Sequence, residues 1–115
     1  MKKENVILDK TFDFALHIIE LYKQMTEQKE YVISKQLLRC GTSIGANVEE
    51  ATAAISKKDF IAKMSISSKE ARETKYWLRL LDKSKIVNYD FKSHLDEIEQ
   101  IIKILTSIVK TSQGK

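Results

Sequence analysis

The chain has 115 residues and a mass of 13.3 kDa, with 20 basic and 16 acidic residues, a formal net charge of +4, no proline, three glycines and one cysteine. A hydrophobic fraction of 43% with 31% charged residues is typical of a globular chain, one cysteine excludes an intrachain disulfide, and no apolar run reaches the roughly 18–20 residues that span a bilayer. Because the first ten residues contain no apolar segment of the kind found in secretory signals, we expect one domain over residues 1–115, located in the cytoplasm and not bound to a membrane.

Helical periodicity without proline predicts an all-α chain that begins with a helix over about residues 10–27. Its expected apolar seam comprises Leu8, Phe12, Ala15, Ile19 and Tyr22, flanked by Phe14, Ile18, Leu21 and Met25. A second helix is predicted over about residues 34–55. It contains Gly41 and Gly45 one turn apart. We expect a neighbouring helix to approach closely there, because each glycine costs about 1 kcal/mol of helix propensity relative to alanine.

The second half of the chain predicts two more helices. The third, over about residues 57–83, is expected to begin at a capping box formed by Ser56 and Asp59. Its seam comprises Phe60, Met64, Ser67, Ala71, Thr74, Leu78 and Leu81. Asn88 is expected to cap a fourth helix over about residues 88–110, with a seam of Phe91, Leu95, Ile98, Ile102, Leu105 and Val109. Four amphipathic helices joined by short polar links predict an antiparallel up-down-up-down four-helix bundle.

Apolar residues beyond these seams predict a further contact. Ile66, Trp77 and Leu80 lie beside the third seam, and Ile101, Ile104 and Ile108 lie beside the fourth. Large exposed apolar patches are rare on monomers. We therefore expect self-association through the broad faces of the first and fourth helices, with a fuller monomer core as the alternative.

The residue types that carry catalysis or bind metals do not form a recognisable set. His17 and His94 are the only histidines, and neither follows a glutamate by three positions as in a di-iron bundle. Cys40 lies near the small-residue face of the second helix, where a buried small hydrophobe is expected. The segment 41–45 lacks the lysine of a phosphate loop. These observations predict a protein that is not an enzyme and has no metal or cofactor.

One set of polar residues is interpreted as a layer that fixes helix register. Arg39, Ser43 and Asn47 recur every four residues on the second helix, and Glu70 and Glu73 flank the seam of the third. An antiparallel crossing would bring Arg39 against one of these glutamates. If the pair faces inward, Arg39→Ala should cost about 3–5 kcal/mol, the usual loss when a buried ion pair is broken.

Positive charge is concentrated in residues 57–85, which contain nine basic and four acidic residues, a net charge of +5. One outer face of the third helix carries five of these basic residues and an aromatic ring: Lys58, Lys69, Arg72, Tyr76, Arg79 and Lys83. Nucleic-acid binding uses such a face for phosphate contacts and base stacking, but an ordinary solvated helix looks the same. Two hypotheses follow: a non-enzymatic oligomer that binds RNA or an RNA-associated protein, and a protein–protein scaffold that binds no nucleic acid.

Three segments resemble one protein family. They are QLLRCGTSIGANVEEA at 36–51, DFIAKM at 59–64 and KEARETKYWLRLL at 69–81. The chain is similar over almost its whole length to the four-helix-bundle proteins encoded in intervening sequences of bacterial 23S ribosomal RNA genes, although Cys40 and Gly41 stand where Ser-Ala-like small residues are expected. The resemblance implies a left-handed antiparallel bundle, a homopentamer, and kinship with the accessory variability determinant protein of diversity-generating retroelements, a basic pentamer that partners a reverse transcriptase and nucleic acid. It implies no established molecular activity.

Overall fold

A computed structural model describes residues 3–114 of the chain. Within that range the chain forms four helices and no strand: α1 (Lys3–Glu27), α2 (Ile33–Thr52), α3 (Lys57–Ser84) and α4 (Lys92–Gln113). Close backbone contacts join α1 with α2, α2 with α3, α3 with α4 and α4 with α1. The helices therefore form a ring in chain order, 46 × 22 × 20 Å overall. This arrangement confirms the all-α four-helix bundle.

Contacts between α1 and α4 show that these helices run in opposite directions. The ammonium of Lys10 donates to the side-chain oxygen of Gln100 at 2.8 Å. Two turns later on α1, His17 Nδ1 lies 2.8 Å from a carboxylate oxygen of Glu97, which precedes Gln100 on α4. Residue numbers that increase along α1 therefore pair with residue numbers that decrease along α4, so the two helices are antiparallel. This is the arrangement expected when short links join successive helices of an up-down-up-down bundle.

The ends of the first two helices differ from the sequence-based expectation. α1 already begins at Lys3 rather than near residue 10, because no proline or glycine precedes its apolar pattern. α2 ends at Thr52 instead of 55, and Ile55 is exposed in the following turn. The predicted capping box explains this turn. Ser56 is extended so that its hydroxyl accepts the backbone N–H of Asp59 at 3.0 Å, and an extended residue cannot continue α2.

The expected cap of α4 at Asn88 is wrong, since the helix begins only at Lys92. The first backbone N–H of α4 instead donates to the carboxylate of Asp90 at 3.0 Å. Asn88 exchanges two hydrogen bonds with the side chain of Gln28: its N–H donates at 2.7 Å and its carbonyl accepts at 2.9 Å. The backbone of Asn88 therefore ties together the α1–α2 and α3–α4 links, at one end of the bundle.

Glu30 caps α2 in a way that the sequence analysis missed. Its buried carboxylate accepts the backbone N–H groups of Val32, Ile33 and Ser34 at 3.1, 2.9 and 2.7 Å. A helix N-terminus leaves such N–H groups without partners, and a carboxylate is favoured there by the helix dipole. The available signal was an acidic residue shortly before a helix that lacks a polar N-cap.

The buried side of α1 is the flanking apolar set rather than the expected seam. Its buried core residues are Ile7, Phe14, Ile18, Leu21 and Met25. In the expected seam, Phe12 is 60% exposed, Ile19 is exposed, and Leu8, Ala15 and Tyr22 are only partly buried. Ile101 and Ile108, which we expected to be surplus on α4, are buried in this chain's own core. The exposed apolar surplus therefore lies on α1 and on α3, where Ile66 and Leu80 are exposed as expected and Trp77 is partly buried. On α4 only Ile104 and other half-buried residues remain at the margin of the core.

The two glycines of α2 allow α1 to approach closely, as predicted. A Cβ at Gly45 would lie 3.2 Å from the backbone oxygen of Thr11, and one at Gly41 would lie 3.0 Å from two carbons of the fully buried Ile18 side chain. Both distances are shorter than ordinary van der Waals contacts. Close packing of α1 on α2 thus explains why this helix tolerates two residues of poor helix propensity.

Candidate nucleic-acid interface

The six candidate binding residues lie exposed on the outer face of α3. They are Lys58, Lys69, Arg72, Tyr76, Arg79 and Lys83. At 3.6 residues per turn, their positions span an arc of about 80° around the helix axis. The buried residues of the same helix, such as Met64, Ala71 and Leu78, point to the opposite side. The face can therefore contact a ligand without any change in the packing of α3.

Tyr76 supplies the aromatic surface of this face. Its side chain is 53% exposed, and its ring meets the ring of Trp77 edge-on with the centroids 5.3 Å apart. Trp77 is in turn held by a hydrogen bond from its indole N–H to Glu73 at 3.0 Å. A supported but exposed ring of this kind is suited to base stacking.

Carboxylates on and near α3 pair away from this face. Glu70 and Glu73 contact Arg39 on α2, and Glu99 of α4 pairs with Lys75. Within residues 3–114, no ion pair within 4.0 Å involves any of the four lysine and arginine residues Lys58, Lys69, Arg79 and Lys83. Arg72 donates to the hydroxyl of Thr106 at 3.4 Å. Lys58, Lys69, Arg79 and Lys83 are therefore outside the ion pairs of the described chain, whereas Arg72 interacts with Glu99.

The Arg39 cluster joins α2 to α3 at the surface rather than inside the bundle. The Arg39 guanidinium lies 3.4 Å from Glu70 and also contacts Glu73, but the Arg39 side chain is 50% exposed. Hydrogen bonds from Trp77 and Arg39 hold the pKa of Glu73 below its usual value, the Trp77 bond being the larger cause. Both glutamates thus share the arginine. The expectation of a buried pair is wrong because solvent reaches all three charged groups.

Ser43 and Asn47 do not extend this cluster across to α3. The Ser43 hydroxyl donates to the carbonyl of Arg39 at 2.7 Å, and the Asn47 amide donates to the carbonyl of Ser43 at 2.9 Å, so both bond within α2. The polar link in the core is instead Ser67, whose buried hydroxyl donates to the carbonyl of Ile44 on α2 at 2.9 Å. A serine within an otherwise apolar seam was the signal for it.

A second exposed surface, which we call the α1–α2 apolar groove, lies between these two helices. Phe12 and Leu16 of α1 are 60% and 48% exposed, and both line it together with Ile19. Gly45 and Ala46 form part of its floor on α2. The close approach that the glycines permit leaves large α1 side chains projecting beside small α2 residues, and this contrast forms the groove.

Cys40 and His94 are buried, whereas His17 lies at the surface. Burial raises the pKa of the Cys40 thiol to about 11, so it stays protonated at neutral pH, and the predicted burial of this residue is confirmed. His94 is buried with no hydrogen-bond partner for Nδ1, and burial lowers its pKa. His17 is half-exposed and contacts Glu97.

Residues 3–114 contain neither a candidate metal site nor a candidate membrane span. No group of three or more His, Cys, Asp or Glu residues in this range is arranged to hold a metal ion. In the same part of the chain, none of the helices has the length and hydropathy that crossing a membrane requires.

Comparisons with known proteins give consistent results. Residues 3–107 match the family model described as 23S rRNA-intervening sequence protein. The chain is also similar to the crystal structure of a protein with unknown function from the S23 ribosomal protein family of Bacteroides thetaiotaomicron, with 49% identity and a TM-score of 0.90 over 95% of this chain and 99% of that one. A comparison with curated proteins returned no match. Since the family model covers nearly the whole chain, this protein belongs to the 23S rRNA-intervening sequence protein family.

Proposed function

We propose that this protein is a non-enzymatic, self-associating bundle that binds RNA through the exposed basic face of α3. The resemblance described above suggests a homopentamer as the assembled form. The observation that carries the proposal is the unpaired charge of that face. Lys69, Arg72, Arg79 and Lys83 follow one another within about four helical turns, and Lys58 lies about three turns before them. Within residues 3–114, Lys58, Lys69, Arg79 and Lys83 form no ion pair within 4.0 Å.

The choice of RNA over other polyanions is supported by two features. Tyr76 offers an exposed ring among the basic residues, and unpaired bases, which are common in structured RNA, stack on such rings. The similar protein of known structure is assigned by its description to the S23 ribosomal protein family, whereas the family description refers to where its members are encoded and names no ligand. An RNA or an RNA-bound particle is therefore the partner that chemistry and family together favour.

Self-association is supported by the α1–α2 apolar groove. Phe12, Leu16 and Ile19 together expose large apolar side chains on one side of one helix. Covering them with a second copy would remove this surface from water, which is worth about 25 cal/mol per Å². A ring of five copies would carry a formal charge near +20, since each chain carries +4. Such a field attracts polyanions at low salt.

A non-enzymatic role is supported by the state of the reactive groups. The thiol of Cys40 is protonated and buried, and the imidazole of His94 is buried beneath Tyr89, whose ring centroid lies 5.6 Å away.

The test is a filter-binding titration with RNA at low and at physiological salt. The parent and an Arg79→Gln/Lys83→Gln variant are compared with a Lys23→Gln/Lys35→Gln variant, which removes the same charge from α1 and α2. We expect the affinity for RNA to fall steeply as the salt concentration rises. Of the two variants, only Arg79→Gln/Lys83→Gln should bind more weakly than the parent, and its plot of log binding constant against log salt concentration should have a slope smaller by about 2. Absence of RNA binding, or affinity unchanged by salt, would contradict the proposal and favour the protein–protein scaffold.

A further inference from the structure

A cleft between α3 and α4 contains basic residues that the α3 face alone does not include. Arg72 of α3 lines it together with Lys103 and Lys110 of α4, and the α4 wall adds the hydroxyl-bearing residues Thr106, Ser107 and Thr111. An adjoining depression towards the N-terminus of α3 is lined by Lys57 and Lys58, with Ser112 and Gln113 from α4. The two depressions share no lining residue but follow each other along α4, where Thr111 and Ser112 are adjacent. We call them together the α3–α4 cleft, and no carboxylate lines either part.

The charge balance of the cleft is positive on both walls. Arg72 reaches from α3 towards α4, where its guanidinium donates to Thr106 at 3.4 Å. The carboxylate of Glu99 on α4 interacts with two of the lining residues. Its bond to Lys75 is the main cause of its lowered pKa, with further contributions from Lys103 and Arg72. Three cations thus interact with one carboxylate, and Lys57, Lys58 and Lys110 form no ion pair within 4.0 Å in residues 3–114.

The dimensions of the cleft suit one chain of a polyanion. Lys57 and Arg72 are 15 positions apart on a helix, which corresponds to about 22 Å at 1.5 Å per residue. Packed helices are separated by about 8–10 Å between axes, so residues of both helices line a shallow, open depression between their outer edges. Side chains from both walls can reach a phosphate backbone that follows this depression, and hydroxyl groups add neutral hydrogen-bond donors for phosphate and sugar oxygens.

The position of Tyr76 favours a single strand over a duplex. This ring lies one helical turn beyond Arg72 and is exposed. A base can stack on it only when that base is not enclosed within a double helix.

We propose that the α3–α4 cleft binds the phosphate backbone of single-stranded RNA, with Arg72, Lys103 and Lys110 contacting phosphates and Tyr76 stacking on a base. This inference rests on the proposed RNA binding and gives it a location and a strand type. The RNA then lies across two helices, and the α3 residues Arg79 and Lys83, beyond the cleft, add further phosphate contacts outside it.

The experiment measures binding of a single-stranded homopolymer and of a hairpin duplex of equal phosphate number, at physiological salt. Trp77, the only tryptophan, contacts the Tyr76 ring, so its fluorescence is a second readout besides filter retention. The cleft variant is Lys103→Gln/Lys110→Gln, in which both changed residues are exposed. Its controls are Arg79→Gln/Lys83→Gln on the outer face and Lys23→Gln/Lys35→Gln on α1 and α2.

We expect the parent to bind the single strand more tightly than the duplex, with a change in Trp77 fluorescence. The cleft variant should weaken binding at least tenfold, and more than either control. If the cleft variant bound RNA no more weakly than the Lys23→Gln/Lys35→Gln control, and Arg79→Gln/Lys83→Gln showed the larger loss, the cleft would not be the binding site. The proposal that the protein binds RNA would still stand. A preference for the duplex would overturn the assignment to single strands. Failure of the parent to bind either RNA would overturn the proposed function and the cleft together.

Discussion

The two long sides of the bundle differ in what they expose. The α1–α2 side presents large apolar residues such as Phe12 and Leu16 around small ones such as Gly45. The α3–α4 side presents Arg72, Lys103 and Lys110 among hydroxyl groups. The contrast shows that one short chain can place an exposed apolar surface and a cationic surface on different helix pairs. We propose that the first side mediates self-association and that the second binds RNA.

The largest expected effect comes from placing a charge in the α1–α2 apolar groove. Leu16→Glu should abolish self-association, because burying a carboxylate in an apolar contact without a partner is strongly unfavourable. Light scattering coupled to size exclusion should give the parent a mass several times 13.3 kDa and the variant a mass near that of one chain. Gln24→Glu, an exposed change on the same helix, is the control and should keep the parent mass. A parent with the mass of one chain, or a Leu16→Glu variant with the mass of the parent assembly, would contradict self-association through the α1–α2 apolar groove.

The next effect tests the close packing beneath the groove. Gly45→Val should lower the free energy of unfolding by about 1–3 kcal/mol, the usual cost of forcing extra carbons into a packed contact. The new side chain would meet backbone atoms of Thr11, which cannot rotate away. Urea denaturation at one fixed protein concentration measures the loss.

Ala62→Val is the matched control for this change, since it adds a similar side chain at an exposed position of α3 outside the α1–α2 apolar groove. We expect a loss of only a few tenths of a kcal/mol from its lower helix propensity, about 0.7 kcal/mol at most. Equal losses in both variants would show that α1 does not restrict position 45.

A smaller effect is expected at the boundary between the two sides, where Arg39 joins α2 to α3. Arg39→Ala should cost about 1 kcal/mol, the upper range for exposed ion pairs, because two glutamates share one half-exposed guanidinium. Thermal unfolding of this variant and of Lys35→Ala, an exposed control on the same helix, measures the difference. A loss of about 3 kcal/mol or more would mean that the pair is shielded from water after all.

The smallest effect is a pH dependence at the opposite boundary, where His94 of α4 packs near α1. Its pKa is lowered by burial, so above the unfolded-state value near 6.5 it is neutral in both states and has no effect on stability. As the pH falls below that value, the unfolded chain takes up the proton first. Stability should therefore decline until the pH passes the folded-state pKa.

Unfolding measured from pH 7 to pH 5 should show a shallower decline for His94→Gln than for the parent. His17→Gln, which changes the half-exposed histidine of α1, is the control for the loss of an imidazole. An unchanged slope in His94→Gln would show that His94 is hydrated in the folded protein.

Helix positions were predictable from this sequence because apolar spacing and the absence of proline act locally. The buried side of α1 could not be predicted, because apolar residues occupy most of the circumference of this helix. Ile7 and Phe14 lie on one side of it, and Phe12 and Leu16 lie on another. The choice between sides depends on α2, where the glycines admit Thr11 and Ile18 and so turn Phe12 outward. That information lies in the pairing of two helices rather than in either one.

The candidate site was predictable only in part for the same reason. Spacing along α3 places its basic residues on one exposed face, and the structure has them there. The contribution of Lys103 and Lys110 depends on the antiparallel pairing of α4 with α3, which no single-helix pattern contains. A local signal was present nonetheless, because no acidic residue follows Glu99 in the sequence. The binding role of all these residues stays a prediction.

The separation of the two sides is tested most directly by one chromatographic measurement of mass in the presence of single-stranded RNA. The parent and the Lys103→Gln/Lys110→Gln variant are run with light scattering and with absorbance at wavelengths that distinguish RNA from protein. We expect both proteins to elute with the same protein mass, a multiple of 13.3 kDa, and RNA to co-elute only with the parent. A variant that loses self-association together with RNA, or one that still binds RNA as the parent does, would contradict the proposed separation of the two surfaces.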